Sequence, residues 1–408
     1  MRKLCPAYKT RLIQGKLYPA TETTPMGDEK MKITNVNIYH ENHVFQPGCI
    51  EIQGEKISAV HFSDTNTLNE EIIDGQGCYA IPGLVDIHFH GCMGADLCDA
   101  KPDSLPIMAE YEASQGVTTI CPATMTMSEA ELHKIMQNIG SYQPTSHKAA
   151  HLAGINMEGP FISKKNKGAQ KESNVIPCSV SLFRQLNREA GGKIKLVDIA
   201  PEEPGAMEFI EAVKDEVIVS LAHTVAGYDI AMEAFQRGAN HVTHLYNAMN
   251  PFHHRRPGVQ GAAFDSGAFV ELICDGVHIH PAMVRAMFQL YGSDHICLIS
   301  DSMRAAGLED GDYTLGGQAV KVEGPRATLA DGTIAGSVTN LMKCLKNVVQ
   351  NMHIPLEQAV ESATETPAKS IGIFQHCGSI SVGKTADIVL LDKELNVQKI
   401  ILAGKTIF

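Results

Sequence analysis

Nothing in the 408-residue chain has the make-up of a membrane span, because no apolar run reaches the about 18 residues that such a helix needs. Cys-x-x-Cys pairs are also missing, and the eleven cysteines cannot all pair, since their number is odd. Cys121, Cys274 and Cys297 lie inside apolar runs and read as reduced core residues, so a reducing, cytoplasmic setting is expected. Positive charge is scarce. A net charge of −12 leaves no broad basic surface for nucleic acid, and an anionic ligand would need a local cationic pocket. Heptads, repeats and low-complexity tracts are lacking, which excludes coiled coils and solenoids. Residues 1–30 contain no continuous apolar stretch of signal-peptide type despite Arg2 and Lys3. They are set aside as an extension of unassigned role.

What is present is a repeated alternation. Eight apolar runs can be traced: Ala80–Ile87, Gly116–Pro122, His151–Met157, Lys195–Ala200, Val217–Ala222, Asn240–Thr243, Phe269–Cys274 and His295–Ser300. Between them lie helix-like stretches at Leu105–Ser114, Ala130–Ile139, Val180–Ala190, Gly205–Lys214, Tyr228–Arg237 and Pro281–Tyr291. Strands alternating with helices imply parallel βα units, and eight such strands predict an α/β fold of closed (β/α)8, TIM-like type. Short alternating runs from Met31 to Tyr79, and again near the C-terminus, have hairpin character. Residues 31–79 and 379–408 are therefore expected to build one small, discontinuous β-sandwich domain beside a barrel spanning 80–378.

The first run ends in Asp86-Ile87-His88-Phe89-His90, which delivers two imidazoles to one face of a strand end. Burying two neutral histidines without a partner is costly, and a divalent metal suits such a pair. Other runs end in similar chemistry. Glu158 follows the third, His223 the fifth and His244 the sixth, while Asp275 and His278 follow the seventh and Asp301 the eighth. In a closed barrel the C-terminal strand ends share one rim, so these groups would share one pocket. Any single histidine of the 18 is more often a satisfied structural residue, the reading taken for His40, His43, His61, His133, His147 and His376.

Several motifs occur together and in order: Pro-Gly-Leu-Val-Asp-Ile-His-Phe-His-Gly from Pro82, Met-Glu-Gly-Pro-Phe from Met157, Ala-His-Thr from Ala222 and Thr-His-Leu-Tyr-Asn-Ala-Met from Thr243. Asp-Gly-Val-His from Asp275 and Ser-Asp-Ser from Ser300 follow. The chain thereby resembles the amidohydrolase superfamily, and within it deacetylases of phosphorylated N-acetyl amino sugars. Glu158, His223 and His244 form a mixed carboxylate and imidazole set that suits Zn²⁺ or Fe²⁺. Such an ion lowers the pKa of bound water and polarises a carbonyl. The resemblance implies that Asp301 is the general base and then general acid, and that neutral His278 donates an N–H to the acetyl carbonyl. The resemblance covers members with one ion and members with two, and in those with two, histidines at the His88 and His90 positions hold the second with the Glu158 position bridging. Arg255, Asn247 and Ala248 would bind the phosphate, Arg255 across a homodimer interface. Gln170 stands where related chains usually have a sugar-contacting histidine, Arg256 where an acidic residue is common, and Ser302-Met303-Arg304 replaces a smaller, more apolar stretch. These departures bear on which sugar is used, N-acetylglucosamine or N-acetylgalactosamine. A further alternative is a catalytically inactive barrel used as a scaffold, but that would have lost ligands that are present here.

Overall fold

The structure is a computed structural model that describes residues 30–62, 71–144 and 146–408, with the backbone of two short antiparallel strands, Arg11–Ile13 and Lys16–Tyr18. Residues 1–29 of the expected extension otherwise lie outside the described residues.

Eight strands form the barrel: β1 Leu84–Asp86, β2 Val117–Ile120, β3 Ile155–Phe161, β4 Ile194–Ile199, β5 Ile218–Leu221, β6 His241–Val242, β7 Phe269–Ile273 and β8 Ile296–Ile299. Their ladders are parallel throughout. Two seams close the ring. The Asn156 N–H donates to the Pro122 carbonyl at 3.0 Å, joining β2 to β3, and the Asp301 N–H donates to the His88 carbonyl at 2.9 Å, joining the ends of β8 and β1. Each strand leads into a helix: α1 Ser104–Ser114, α2 Glu129–Ser141, α3 Val180–Glu189, α4 Ala206–Val213, α5 Tyr228–Arg237, α6 Gly258–Ser266, α7 Pro281–Tyr291 and α8 Leu341–Gln350. Two more, α9 Leu356–Ala363 and α10 Glu365–Ser370, follow.

The helix starts follow local chemistry. A capping box links Ser128 and Glu131 ahead of α2, and α7 opens on Pro281, whose missing N–H would have been unpaired there. Strand side chains buried on both faces make the walls. Val85, Leu196, Ile273 and Ile299 pack inward with Ala368 and Ile371 of the α10 end of the chain, while β-strand and helix residues such as Phe161, Phe183 and Phe209 fill the outer layer. Removing one of these phenyl rings would cost about 3–5 kcal/mol.

Two expected strands prove to be split. Ala80–Ile87 divides at Gly83: Tyr79–Pro82 pairs with Ile388–Leu391 in the small domain, and only Leu84–Asp86 enters the barrel. Gly83 is needed at this junction, because a Cβ there would meet the Thr118 side chain at 2.1 Å. His151–Met157 also divides, His151–Leu152 pairing with β2 before β3 begins at Ile155.

Strands from residues 30–82 and from residues 388–406 join one hydrogen-bonded sheet, in which Lys30–Tyr39 lies between Phe45–Gln53 and Tyr79–Pro82. Its apolar face, including Ile33, Ile38, Ile50, Ile388 and Ile401, makes a separate core. An antiparallel three-stranded insert, Gly311–Leu315, Gln318–Glu323 and Arg326–Thr328, stands over the C-terminal rim and packs on Met125 and Met303. Among the described residues, no helix is long and apolar enough to cross a membrane.

Candidate metal centre and its pocket

The strand ends deliver the functional side chains in an unusual backbone conformation. His223, His244 and Asp301 have φ of 44°, 29° and 47°, the left-handed region that costs a non-glycine residue about 1–3 kcal/mol. The turn lifts each side chain off its strand and aims it at the barrel axis. Gly168, on the loop after β3, comes close enough that a Cβ would lie 3.3 Å from the His223 ring.

Glu158, 2% exposed, is the hub. Its Oε1 lies 2.9 Å from His223 Nε2, 3.0 Å from His244 Nε2 and 3.7 Å from His88 Nε2. Its Oε2 lies 3.5 Å from His90 Nε2 and accepts from Gln170 Nε2 at 2.6 Å. Asp301 Oδ1 faces the other pair, at 3.3 Å from His90 Nε2 and 3.8 Å from His88 Nε2. Two groups with metal-ligand spacing result, Glu158–His223–His244 and His88–His90–Asp301.

The outer nitrogens explain why the inner ones face the centre. His88 Nδ1 meets Glu271 Oε2 at 2.9 Å, His223 Nδ1 the Asn166 carbonyl at 3.1 Å and His90 Nδ1 the Ala123 carbonyl at 3.3 Å. Each carbonyl or carboxylate takes the Nδ1–H, which leaves the Nε2 lone pair free to bind a cation. His223 and His244 bring their Nε2 atoms within 3.1 Å of each other, and the buried His88 Nε2 has no hydrogen-bond partner among the described residues. Inward lone pairs gathered on a buried carboxylate fit a divalent ion. Burial pushes Glu158 and Asp301 toward the neutral form, but the surrounding imidazoles, His223 and His244 for Glu158 and His90 and His88 for Asp301, hold both below their ordinary range.

A cavity of about 230 Å³ opens over the hub and is lined by His90, Glu158, Gln170, His223, His244, Asn247, Ala248, His278 and Asp301, with Leu315 and Ile334 from the insert side. Every predicted site residue except Arg255 lies in this wall or, like His88, directly beneath it. Arg255 and Arg256 line a separate outer cleft of about 910 Å³ with Tyr228, Asn250 and Asp265. Gln170 is buried with its amide spanning Glu158 and the Thr126 N–H, at 2.6 and 2.7 Å, so it buttresses the hub.

His278 is hydrogen-bonded to a carboxylate three residues before it. Its Nδ1 lies 2.8 Å from Asp275 Oδ2, while Asp275 Oδ1 accepts from the Val277 and His278 N–H groups at 2.8 and 2.9 Å. Burial alone would lower the imidazole, but Asp275 outweighs it and raises the pKa. With Nδ1–H committed to Asp275, a neutral ring would present only a lone pair at Nε2. The raised pKa favours the imidazolium, whose Nε2–H would be the ring's remaining donor, over the neutral imidazole expected from sequence. Glu271 and Asp86 were missed altogether. Asp86, buried and pushed up to about 7 by burial, accepts from Ser300 Oγ at 2.6 Å and from the His88 N–H at 3.2 Å. A lone carboxylate inside the apolar strand Phe269-Val270-Glu271-Leu272-Ile273 was the available signal.

A closed (β/α)8 barrel with a buried carboxylate shared among four imidazoles at its C-terminal rim defines a barrel hydrolase with residues able to hold a metal ion. The chain belongs to the amidohydrolase family, whose sequence pattern matches residues 79–407. It is 39% identical over 386 residues to an N-acetylglucosamine-6-phosphate deacetylase of Bacillus subtilis (strain 168), covering 93% of this chain and 98% of that protein. An N-acetylgalactosamine-6-phosphate deacetylase of Escherichia coli O157:H7 is 34% identical, over 79% of this chain and 86% of that one. The crystal structure of the N-acetylglucosamine-6-phosphate deacetylase from Pasteurella multocida superposes with a TM-score of 0.87 at 29% identity, covering 92% of this chain and 99% of that one.

Proposed function

We propose that the chain hydrolyses N-acetyl-D-glucosamine 6-phosphate to D-glucosamine 6-phosphate and acetate, as an amino-sugar catabolic enzyme. The observation that carries this reading is the Glu158 hub opposed by Asp301 at the floor of a pocket of about 230 Å³, in a chain with deacetylase relatives over nearly its whole length.

Glu158, His223 and His244 would hold one divalent ion, with His88, His90 and Asp301 framing a second position. When bound, a Zn²⁺ or Fe²⁺ ion supplies Lewis acidity toward the acetamide oxygen and toward water. Asp301, held ionised by its imidazole neighbours, takes the proton from the attacking water and returns it to the amine nitrogen as the C–N bond breaks. The water oxygen ends in acetate. His278, charged through Asp275, donates from Nε2 to the carbonyl oxygen as negative charge builds there. Asn247 and Ala248, at the pocket wall, contact the phosphate end. Arg255 lies outside its own chain's pocket, and a homodimer would let it serve the neighbouring site. Buried thiols such as Cys121, Cys274 and Cys297 suit a reducing cytoplasm.

The test is acetate release by metal-replete protein from N-acetylglucosamine 6-phosphate, N-acetylgalactosamine 6-phosphate and unphosphorylated N-acetylglucosamine. Preference for the first is expected. Preference for the galactosamine phosphate would transfer the assignment to the activity named for the E. coli relative, and turnover of none would refute it.

A further inference from the structure

The two groups of metal-ligand residues share a support that neither the motifs nor the relatives' names assign. Glu271 projects from the middle of β7 and is fully buried. One oxygen, Oε2, accepts both from His88 Nδ1 at 2.9 Å and from the main-chain N–H of His244 at 2.9 Å. His88 belongs to one half of the centre and His244 to the other. We propose that Glu271 is a positioning residue that sets both half-sites at once, by fixing the His88 ring and the strained His244 backbone with a single oxygen.

The geometry supports both arms. On the first arm, accepting the Nδ1–H holds the tautomer that turns the His88 Nε2 lone pair inward, and a negative partner makes that nitrogen a better donor to a cation. Asn156 Nδ2, 3.4 Å from the same Nδ1, is a donor and cannot accept the Nδ1–H in place of the carboxylate. On the second arm, His244 sits at φ 29°, a conformation that persists only where its surroundings over-determine it. Among the described residues its N–H has no helical or strand partner, and Glu271 accepts from it. A carboxylate desolvated inside an apolar strand is costly unless its hydrogen bonds compensate, and both assigned bonds go to metal-ligand residues.

The inference rests on the metal-dependent reading above, and the experiment separates the two. Metal-free protein is titrated with Co²⁺ against a chromophoric chelator, without substrate, and its visible absorption reports coordination. Glu271→Gln preserves shape and an accepting oxygen but removes the charge, so about 10-fold weaker binding is expected. Glu271→Leu removes both bonds, and a loss of about 100-fold is expected. Thermal midpoints of the metal-free proteins are compared in parallel. Unchanged Co²⁺ affinity in Glu271→Gln would overturn the proposal, as would a lower midpoint with unchanged affinity, which describes a merely structural residue. If the Leu variant does not fold, the Gln variant decides. Failure of the unsubstituted protein to bind Co²⁺ would overturn the metal-dependent reading itself, and this inference with it.

Discussion

Replacing Asp275 by Asn tests the charge on His278 without emptying the pocket. Asp275 Oδ1 accepts two backbone N–H bonds, at 2.8 and 2.9 Å, so the Asn oxygen must stay on that side to keep the turn. The amide NH2 is then forced toward His278 Nδ1, where the carboxylate stood at 2.8 Å. Two donors cannot face each other, so the ring adopts the neutral tautomer with Nε2–H, and Nδ1 becomes the acceptor. In a serine-protease triad an analogous Asp-to-Asn change ruins a base by selecting the wrong tautomer. Here His278 is a donor, and the selected tautomer still donates, but without charge. Bonds to charged groups contribute about 1.5–3 kcal/mol and neutral ones about 0.5–1.5, so the difference of about 1–1.5 kcal/mol predicts a 5- to 10-fold fall in kcat. Removing the donor in His278→Ala should cost about 10²–10³. The pH profile gives the sharper readout. Because Asp275 raises the His278 pKa above its ordinary value, the imidazolium is fully present below about 6.5 and is lost as pH rises through the raised value. The unsubstituted enzyme should therefore lose rate at alkaline pH on that ionisation, whereas the Asp275→Asn variant should lack that limb. Measuring kcat across pH for both proteins at equal metal loading decides the matter. An identical alkaline limb in the variant would refute the imidazolium assignment.

Asp301→Asn should keep substrate affinity and the ion held by Glu158, His223 and His244 while kcat falls by about 10²–10⁴, checked by metal analysis and steady-state kinetics; near-normal kcat would remove Asp301 from proton transfer. Arg255→Ala should raise KM for the phosphorylated sugar with little change in kcat. Mixing it with a separately inactivated Asp301→Asn chain should restore normal KM in a fraction of sites if Arg255 acts across a dimer. Chelation should abolish activity and lower the thermal midpoint, since a ligand bound only by the folded state stabilises it; readdition of metal should reverse both, and a midpoint unmoved by chelation would count against tight binding.

The barrel was legible because each strand is an apolar run and most helices carry amphipathic spacing. Tyr228–Arg237 and Pro281–Tyr291 fall on the predicted residues. Helix α6 was missed because Gly258-Val259-Gln260-Gly261-Ala262-Ala263-Phe264 is too glycine-rich and weakly amphipathic to show a face, so packing between neighbours must make it helical. The insert Gly311–Thr328 lies past the eighth run, where the βα alternation no longer guides a reading. Domain membership of Tyr79–Pro82 could not be read either. An apolar strand looks the same whichever sheet it joins, and only the Gly83 contact with Thr118 marks the change of partner.

The centre itself divides along the same line. Residue types at strand ends are visible in sequence, so Glu158, His223, His244, His88, His90 and Asp301 could be proposed from the barrel's geometry and the motifs. The direction in which each nitrogen points could not, because it is set by groups distant in the chain. Glu271 lies 183 residues from His88, and its bond to Nδ1 leaves Nε2 turned toward the centre. Asn166 does the same for His223 through a main-chain carbonyl, which has no signature in residue type at all. The left-handed φ angles at His223, His244 and Asp301 belong to this category too, since nothing about histidine or aspartate at these positions demands them. They are held by closure of the ring: the Asp301 N–H bonds to the His88 carbonyl, and the His244 N–H to Glu271. Orientation at this site is therefore a property of the closed barrel, and variants of the supporting groups should alter metal affinity and pH dependence before they alter the fold.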